Sequence, residues 1–303
     1  MLLYLSNGNP IRGDLIKSAV LRSDLSPVPV TLEAEIRLDD GIAKLLLEGG
    51  SVTTGDGDAI RIIKSVRNDS SVVNGSREIS SMRITGLLDA CQSADSSSGI
   101  AFVRSRAIIK EDVTLSAIYR AAGARIKAVD ADFHVPRFCC PIGGTPSFHI
   151  ARILQEEGGI VRWKAGRLQF MRLGDLLKQD AITDLPNNSS DDIASGFLER
   201  HEVPWFYSLN ASGDATFGNQ SKSRSVRYSP FKNEQKLRNM SRCLVQRKVS
   251  KIGLAEHISA GDAVNFLGYG KLAVITVAHV FESGTDGGSV NQYTRIWTGS
   301  VEG

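Results

Sequence analysis

The sequence predicts an α+β protein that is mainly β, with two β-barrel-like modules flanking an α/β insert. Three observations predict it. Strictly alternating apolar and polar segments fill the first hundred-odd residues. Capped helices with glycine stops fill the middle, and long strands return toward the C-terminus. On this texture the modules run over 1–111, 112–186 and 187–303, the last carrying a basic segment at 222–251.

In the first module Val28, Val30, Leu32, Ala34, Ile36 and Leu38 share one face of an extended segment, with charged residues opposite. That is the pattern of a half-buried antiparallel strand. Ala59–Val66, Ile79–Leu88 and Ile100–Ile109 read as further strands, separated by the turn-rich stretches GGSVTTGDGD and SADSSSG. The GDGD sequence at Gly55 is a turn, since it lacks the remaining ligands of a calcium loop.

The insert repeats one order twice: capped helix, glycine stop, strand. Asp112 and Thr114 can cap a helix through Leu115, Ile118 and Tyr119 that stops at Gly123 and leads into ARIKAVD, read as a strand. In GTPSFHIARILQEEGG, Thr145 and Ser147 offer start signals beside Pro146, and Phe148, Ile150, Ile153 and Leu154 fall on one helical face. Gly158 and Gly159 read as the stop, because glycine enters left-handed backbone without a Cβ penalty. Ile160, Val161 and Trp163 then form a short strand, Lys164 to Gly166 the turn, and Leu168, Phe170 and Arg172 the return strand. The repeat is too short an array for a solenoid.

In the last module VPWFYSL reads as a strand. Leu272, Val274, Thr276, Ala278 and Val280 alternate with Ala273, Ile275, Val277 and His279, so both faces of that strand are apolar and expected to be buried. The GTDGGS turn pairs it with VNQYTRIW.

A chain of 303 residues with 42% hydrophobic content can bury a substantial core. No apolar run approaches the length of a bilayer span, and MLLYLSNGNP lacks a basic lead-in and a cleavage site, so an unexported protein without a membrane is expected. Cys139 and Cys140 are adjacent and poorly placed to bond to each other, so with Cys91 and Cys243 they read as reduced thiols. Sequons such as Asn74-Gly75-Ser76 read as chance products of a serine-rich chain. The net charge of +3 hides a polarity: residues 222–251 hold ten Lys or Arg against Glu234, whereas 184–214 hold six acids against Arg200.

Candidate chemistry is sparse. His134, Cys139, Cys140 and His149 are the residue types of a zinc site, but adjacent cysteines grip one tetrahedral ion poorly and no second CxxC exists. Cys140 with His149 or His201 lacks an oxyanion-hole motif. Glu156 and Glu157 project about 100° apart on a helix and cannot share one sugar, which argues against a glycosidase pair. They read as a solvated helix end or an interface contact, and His279 as a hydrogen-bonded core or interface residue. No catalytic residue, cofactor or metal is assigned. In the basic segment, Tyr228 and Phe231 interleave with Lys and Arg, which suits phosphate contacts and base stacking as well as docking on an acidic protein surface.

GTPSFHIARILQEEGGIVRWKAGRLQF, with Phe148, Leu154, Glu156, Glu157 and Gly158 in pattern, resembles a segment of the baseplate hub proteins of contractile-tailed phages. These are the late-control gene D family, related to the hub part of type VI secretion spike proteins. ISAGDAVNFLGYGKLAVITVAHVF is similar to that family's closing β-barrel, where a Pro-Gly-Asp turn precedes a strand ending in Val-x-His, here Val277 and His279. Ala260 stands where the family has proline. The likeness spans Leu115 to Trp297, while the N-terminal strands fit by texture only and the basic segment has no counterpart.

The resemblance implies a homotrimer in which two barrels per subunit close a pseudo-six-fold torus. Such a ring would adapt a six-fold tail tube to a three-fold spike, touch other baseplate proteins, and let genome DNA pass without specific binding. It implies a non-enzymatic virion protein assembled in the host cytoplasm. Lys232, Lys236, Arg238, Arg242, Arg247 and Lys248 are the partner-contact candidates, facing the acidic 184–214 region of the next copy. The alternatives are a nucleic-acid-binding protein using 222–251 and a tail-associated cell-wall hydrolase.

Overall fold

The structure is a computed structural model that describes residues 1–38, 41–69, 80–94, 98–127, 129, 132–186, 190–192, 203–284 and 289–302. It is α+β and mainly β, dominated by one large curled sheet. The first strands are β1 (Leu3–Leu5), β2 (Ile16–Asp24), β3 (Val30–Arg37), β4 (Ser51–Thr54), β5 (Ala59–Asp69) and β6 (Ser80–Leu88), with a short helix α1 (Ile42–Leu45). Val30, Leu32, Ala34 and Ile36 of β3 are buried as their alternation requires.

After them come β7 (Ile108–Thr114), α2 (Leu115–Ala121), β8 (His134–Cys140), α3 (Pro146–Glu157), β9 (Gly159–Lys164), β10 (Arg167–Arg172) and α4 (Leu173–Leu176). Beyond it come β11 (Ala181–Leu185), β12 (Ser190–Asp192), β13 (Trp205–Leu209), β14 (Ala215–Phe217), β15 (Val226–Tyr228) and α5 (Glu234–Met240). The chain closes with β16 (Cys243–Gly253), β17 (Ala263–Phe266), β18 (Gly270–Glu282) and β19 (Asn291–Glu302).

The large sheet runs β1-β4-β5-β6-β3-β2-β18-β19-β16-β12, with β17 joining β18 to β11. Its centre is a seam: β2 pairs antiparallel with β18 from Ser18 opposite Glu282 to Asp24 opposite Thr276. Strands from the two ends of the chain therefore share one hydrogen-bonded ladder. β18 is buried on both faces over Leu272–Val274 and Val277–Phe281, as its sequence predicts. At the seam His279 is 6% exposed and shares a 3.0 Å hydrogen bond through Nδ1 with the Thr294 hydroxyl. Burial holds its imidazole below the ordinary value.

One apolar cluster spans the first module and the insert, from Leu3 and Ile36 through Tyr119 and Phe138 to Phe170. Tyr119 is fully buried, stacks 5.7 Å from Phe170, and donates its hydroxyl to the Pro27 carbonyl at 2.9 Å. A second cluster lies between β17, β18 and β19 around Val264, Phe266, Val274 and Ile296.

Four local expectations need correction. Ile100–Ile109 is a strand only from Ile108, because its backbone bonds go to the first turn of α3 and the loop before it: Ser147 N donates to Ile100 O, and Arg104 N to Gly144 O. The described part of ARIKAVD is not a strand. Ala124 and Ile126 are buried, but Arg125 N donates to Ala90 O and Val129 makes only an isolated bridge to Leu168. Phe148, expected on the buried face of α3, is 63% exposed, and Glu156, expected at a solvated helix end or an interface, is buried instead. Finally, Gly158 alone is the left-handed stop (φ 58°); Gly159 begins β9, and a Cβ there would lie 2.4 Å from the Phe133 ring. Two adjacent glycines thus serve two different purposes, backbone handedness and close approach.

Between the hairpin β9–β10 and the turn before β17 lies a buried ionic knot. Asp262 is 1% exposed, and its carboxylate accepts from Ser259 N at 3.0 Å, Arg162 Nη1 at 3.4 Å and Lys164 Nζ. Arg162 also donates to Gly261 O at 2.8 Å, Gln179 Oε1 at 3.1 Å and Gln169 Oε1 at 2.7 Å. Gly261 has φ +86°, and a Cβ on it would meet Arg162 Cδ at 2.6 Å. Removing one member of such a set leaves a desolvated charge behind. Asp262→Ala is expected to lose about 3 kcal/mol by chemical denaturation, and D262L combined with R162M to recover part of that loss.

Candidate functional site

The basic segment does not form a free patch. Most of it belongs to a small unit, residues 203–242, in which β13 pairs antiparallel with β14 and parallel with β15. Phe206 points inward from β13 onto Leu237 and Met240 of α5. Asn233 caps α5, its side-chain oxygen accepting from Lys236 N at 2.9 Å. Gly218 is required because a Cβ would lie 2.8 Å from the Leu237 backbone.

This unit is locked onto the C-terminal end of α3. Lys232 Nζ reaches Glu156 Oε1 at 2.5 Å, and Lys236 Nζ lies 3.5 Å from Glu156 and 3.7 Å from Glu157. Asn239 donates to the Glu156 carbonyl at 3.0 Å, satisfying a helix-end acceptor, and Gln155 donates to Met240 O at 3.2 Å. Glu156 is 7% exposed, so the paired acids are not a solvated helix end. Their role is to receive the lysines of their own chain.

The remaining contact candidates sort as clearly. Arg238 pairs with Glu234 one turn earlier in α5, both side chains half-exposed. Arg242 is exposed just beyond the helix. Arg247 bonds Ser300 Oγ at 3.0 Å and pairs with Glu302 across β16 and β19. Lys248 is 1% exposed, with its ammonium 4.5 Å from the centre of the Tyr269 ring and 5.6 Å from that of Phe266. It therefore cannot touch a partner from this position. Arg238 and Arg242 are the two that present charge outward.

The zinc-type residues do not converge. Cys139 is exposed and Cys140 buried, as neighbours on a strand must be. His134 lies at the far end of β8, 3.1 Å from Asp112, whereas His149 is on α3. Among the described residues no group of three His, Cys, Asp or Glu is placed to hold a metal. No disulfide joins the four cysteines, and burial pushes the Cys91 thiol far up. His201 lies outside the described residues. No described helix is long and apolar enough to cross a membrane.

The other surface of note is the open face of the large sheet. Across the seam it carries Thr31 and Glu33 of β3, Val20 and Arg22 of β2, Thr276 and Ala278 of β18, and Trp297 of β19. Arg295 lies 5.1 Å over the Trp297 ring. Glu35 on this face accepts from Lys17, Ser81 and Arg83 at 2.9 to 3.3 Å. Burial raises its pKa, but these hydrogen bonds outweigh burial and hold the carboxyl below its ordinary range.

Sequence reasoning missed the outward face of the small sheet. Trp205, Tyr207, Phe217, Val226 and Tyr228 share it, since Tyr207 stands opposite both Phe217 and Tyr228. The alternation in VPWFYSL, with Trp205 and Tyr207 on one side and Phe206 on the other, was the available signal.

Because Glu156 holds the small unit in place, its truncation leaves Lys232 unpaired at a half-buried site. Glu156→Ala is expected to cost about 2 to 3 kcal/mol and to speed proteolysis between 203 and 242. Equal melting and cleavage in wild type and variant would count against the lock.

No family model matches the chain, and no curated protein matches it. Solved structures do. A tail protein from Neisseria meningitidis matches with a TM-score of 0.63 at 10% identity, over 99% of this chain and 95% of the other. A prophage tail protein from Shewanella oneidensis matches at 0.60 and 13% identity, over 98% and 95%. The Francisella PdpA-VgrG complex matches at 0.53 and 8% identity, over 99% of this chain and 52% of that one. The order of strands and helices described above is thus, nearly end to end, the fold of phage tail proteins.

Proposed function

We propose that this chain is a structural tail protein, the baseplate hub that adapts a six-fold tail tube to a three-fold central spike. The observation that carries the reading is the seam. On one side of it stand β1, β4, β5, β6, β3 and β2, and on the other β18, β19, β16 and β12 with β17 and, through it, β11 joined to β18, six strands each. Three copies would place six such groups around one axis, which is how a trimer can present a pseudo-six-fold face. The likeness to phage tail proteins and to a complex containing VgrG supports the same reading.

In the ring, 1–111 and 187–303 supply the wall, and the insert at 112–186 packs outside it. The solvated face around Glu33, Arg22 and Arg295 lines the bore, where genome DNA passes without a specific site. The tube, the spike and other baseplate proteins are the partners, the virion tail baseplate the location, and the host cytoplasm the place of assembly. The protein works by geometry, without catalysis. Arg238 and Arg242 steer each copy toward the acidic 184–214 region of its neighbour, a contribution that weakens with salt.

Native mass spectrometry of the purified chain tests this. A trimer is expected, with association slowed several-fold by R238E/R242E and by raised salt. A monomer, a dimer or a six-fold ring contradicts the hub reading.

A further inference from the structure

A groove of about 470 Å³ runs between β8, α3 and the loop that leads into α5. Residues 136–139 of β8 line it consecutively. Successive side chains of a strand point to opposite faces, so a groove touched by four in a row follows the strand's edge. Among the described strands β8 pairs with β7 alone, and the groove is lined by β8 and not by β7, so this is the edge of β8 that faces away from β7. Pro136 withholds one main-chain donor there and keeps its carbonyl. An unpaired strand edge is a template for another extended chain.

The facing walls set the chemistry. α3 presents His149, Arg152, Ile153 and Glu156, spaced three and four apart along one stripe of the helix. With Arg137, Lys232 and Lys236, the lining holds four cations against the single carboxylate of Glu156. Lys232 and Lys236 are taken by Glu156, and Arg137 lies 3.7 Å from Glu111 across β7. Arg152 is exposed and forms no ion pair with a described residue, so one guanidinium in the groove is uncommitted. At the rim Phe231 is 95% exposed and held at φ +57°, a left-handed backbone that phenylalanine rarely adopts. A large ring held in solvent on a strained turn costs the free chain stability that a bound partner would offset.

We infer that this groove takes an extended, acidic peptide segment of another protein, added beside β8 with a carboxylate on Arg152 and an apolar side chain against Phe231 and Ile153. The strand edge selects an extended peptide, whose main chain supplies the hydrogen bonds while its side chains supply specificity. The uncommitted guanidinium selects a carboxylate, which it can grip through two parallel N–H donors. A nucleic acid fits less well, because three of the four lining cations already hold carboxylates of this chain and Glu156 would repel a run of phosphates.

The test pans a randomised octapeptide library, displayed on a carrier protein, against the full chain. Enriched sequences should carry aspartate or glutamate beside a bulky apolar residue. A synthetic copy of the strongest, acetylated and amidated, should lose about tenfold or more in affinity against R152E, and less against R152K, which keeps the charge without the fork. F231G should also weaken it, and because glycine is at ease at positive φ this variant should melt no lower than wild type. Bound peptide should slow hydrogen exchange over 137–140 of β8. No enrichment, enrichment indifferent to acidic residues, an affinity that R152E leaves unchanged, or binding without slowed exchange over 137–140 overturns the inference. So does oligothymidylate that displaces the peptide and depends on Arg152. Slow exchange over 137–140 in the free chain that is lost on dilution would show a second copy in the groove and overturn it as well.

Discussion

The ion knot at Asp262 is the interaction on which the rest depends. It joins the two stretches most distinctive in sequence, the helix-hairpin GTPSFHIARILQEEGGIVRWKAGRLQF and the turn ISAGDAV, through Arg162 and Lys164. Burying a carboxylate and a guanidinium together is tolerable only where their mutual attraction and further hydrogen bonds offset desolvation. Gly261 makes room for the arginine stem, and Gln169 and Gln179 accept from its Nε and Nη1. The requirement fixes the hairpin against the C-terminal strands. Apolar contact between the same elements would allow more slippage than this directional set of bonds.

From that point outward, rigidity passes in two directions. Toward the seam, Ala260 N donates to Ser23 Oγ at 2.9 Å, so the turn holding Asp262 also grips the end of β2. Away from it, α3 carries Glu156 to the small unit, where Lys232 and Lys236 are paired. A run that looks in sequence like a surplus of positive charge is therefore partly internal. Arg238 and Arg242 remain at the surface.

Much of this was legible in the sequence. The alternation of β3, the doubly buried β18, the Thr114 cap of α2 and the glycine stops after α2 and α3 all follow from local chemistry, because apolar period and glycine handedness are short-range properties. Residues whose purpose is long-range were misread. Gly159 looks like half of a helix stop, yet its reason is the Phe133 ring brought in from β8's approach. Ile100 looks like a strand residue because it is apolar and buried, but its carbonyl answers to Ser147. The pairing of β2 with β18 joins residues more than two hundred positions apart and leaves no local mark. For the site, charge counting found the right segment and could not tell Lys248, buried beneath Tyr269, from Arg242 in solvent.

The central claim is that one curled sheet, halved by the β2–β18 seam, supplies two ring positions per copy. Electron cryo-microscopy of the assembled protein measures this most directly. The account predicts three copies about one axis, six half-sheets around a bore, and Glu33, Arg22 and Arg295 facing into it. A ring in which that face points outward, or in which each copy occupies one position of six, would contradict it.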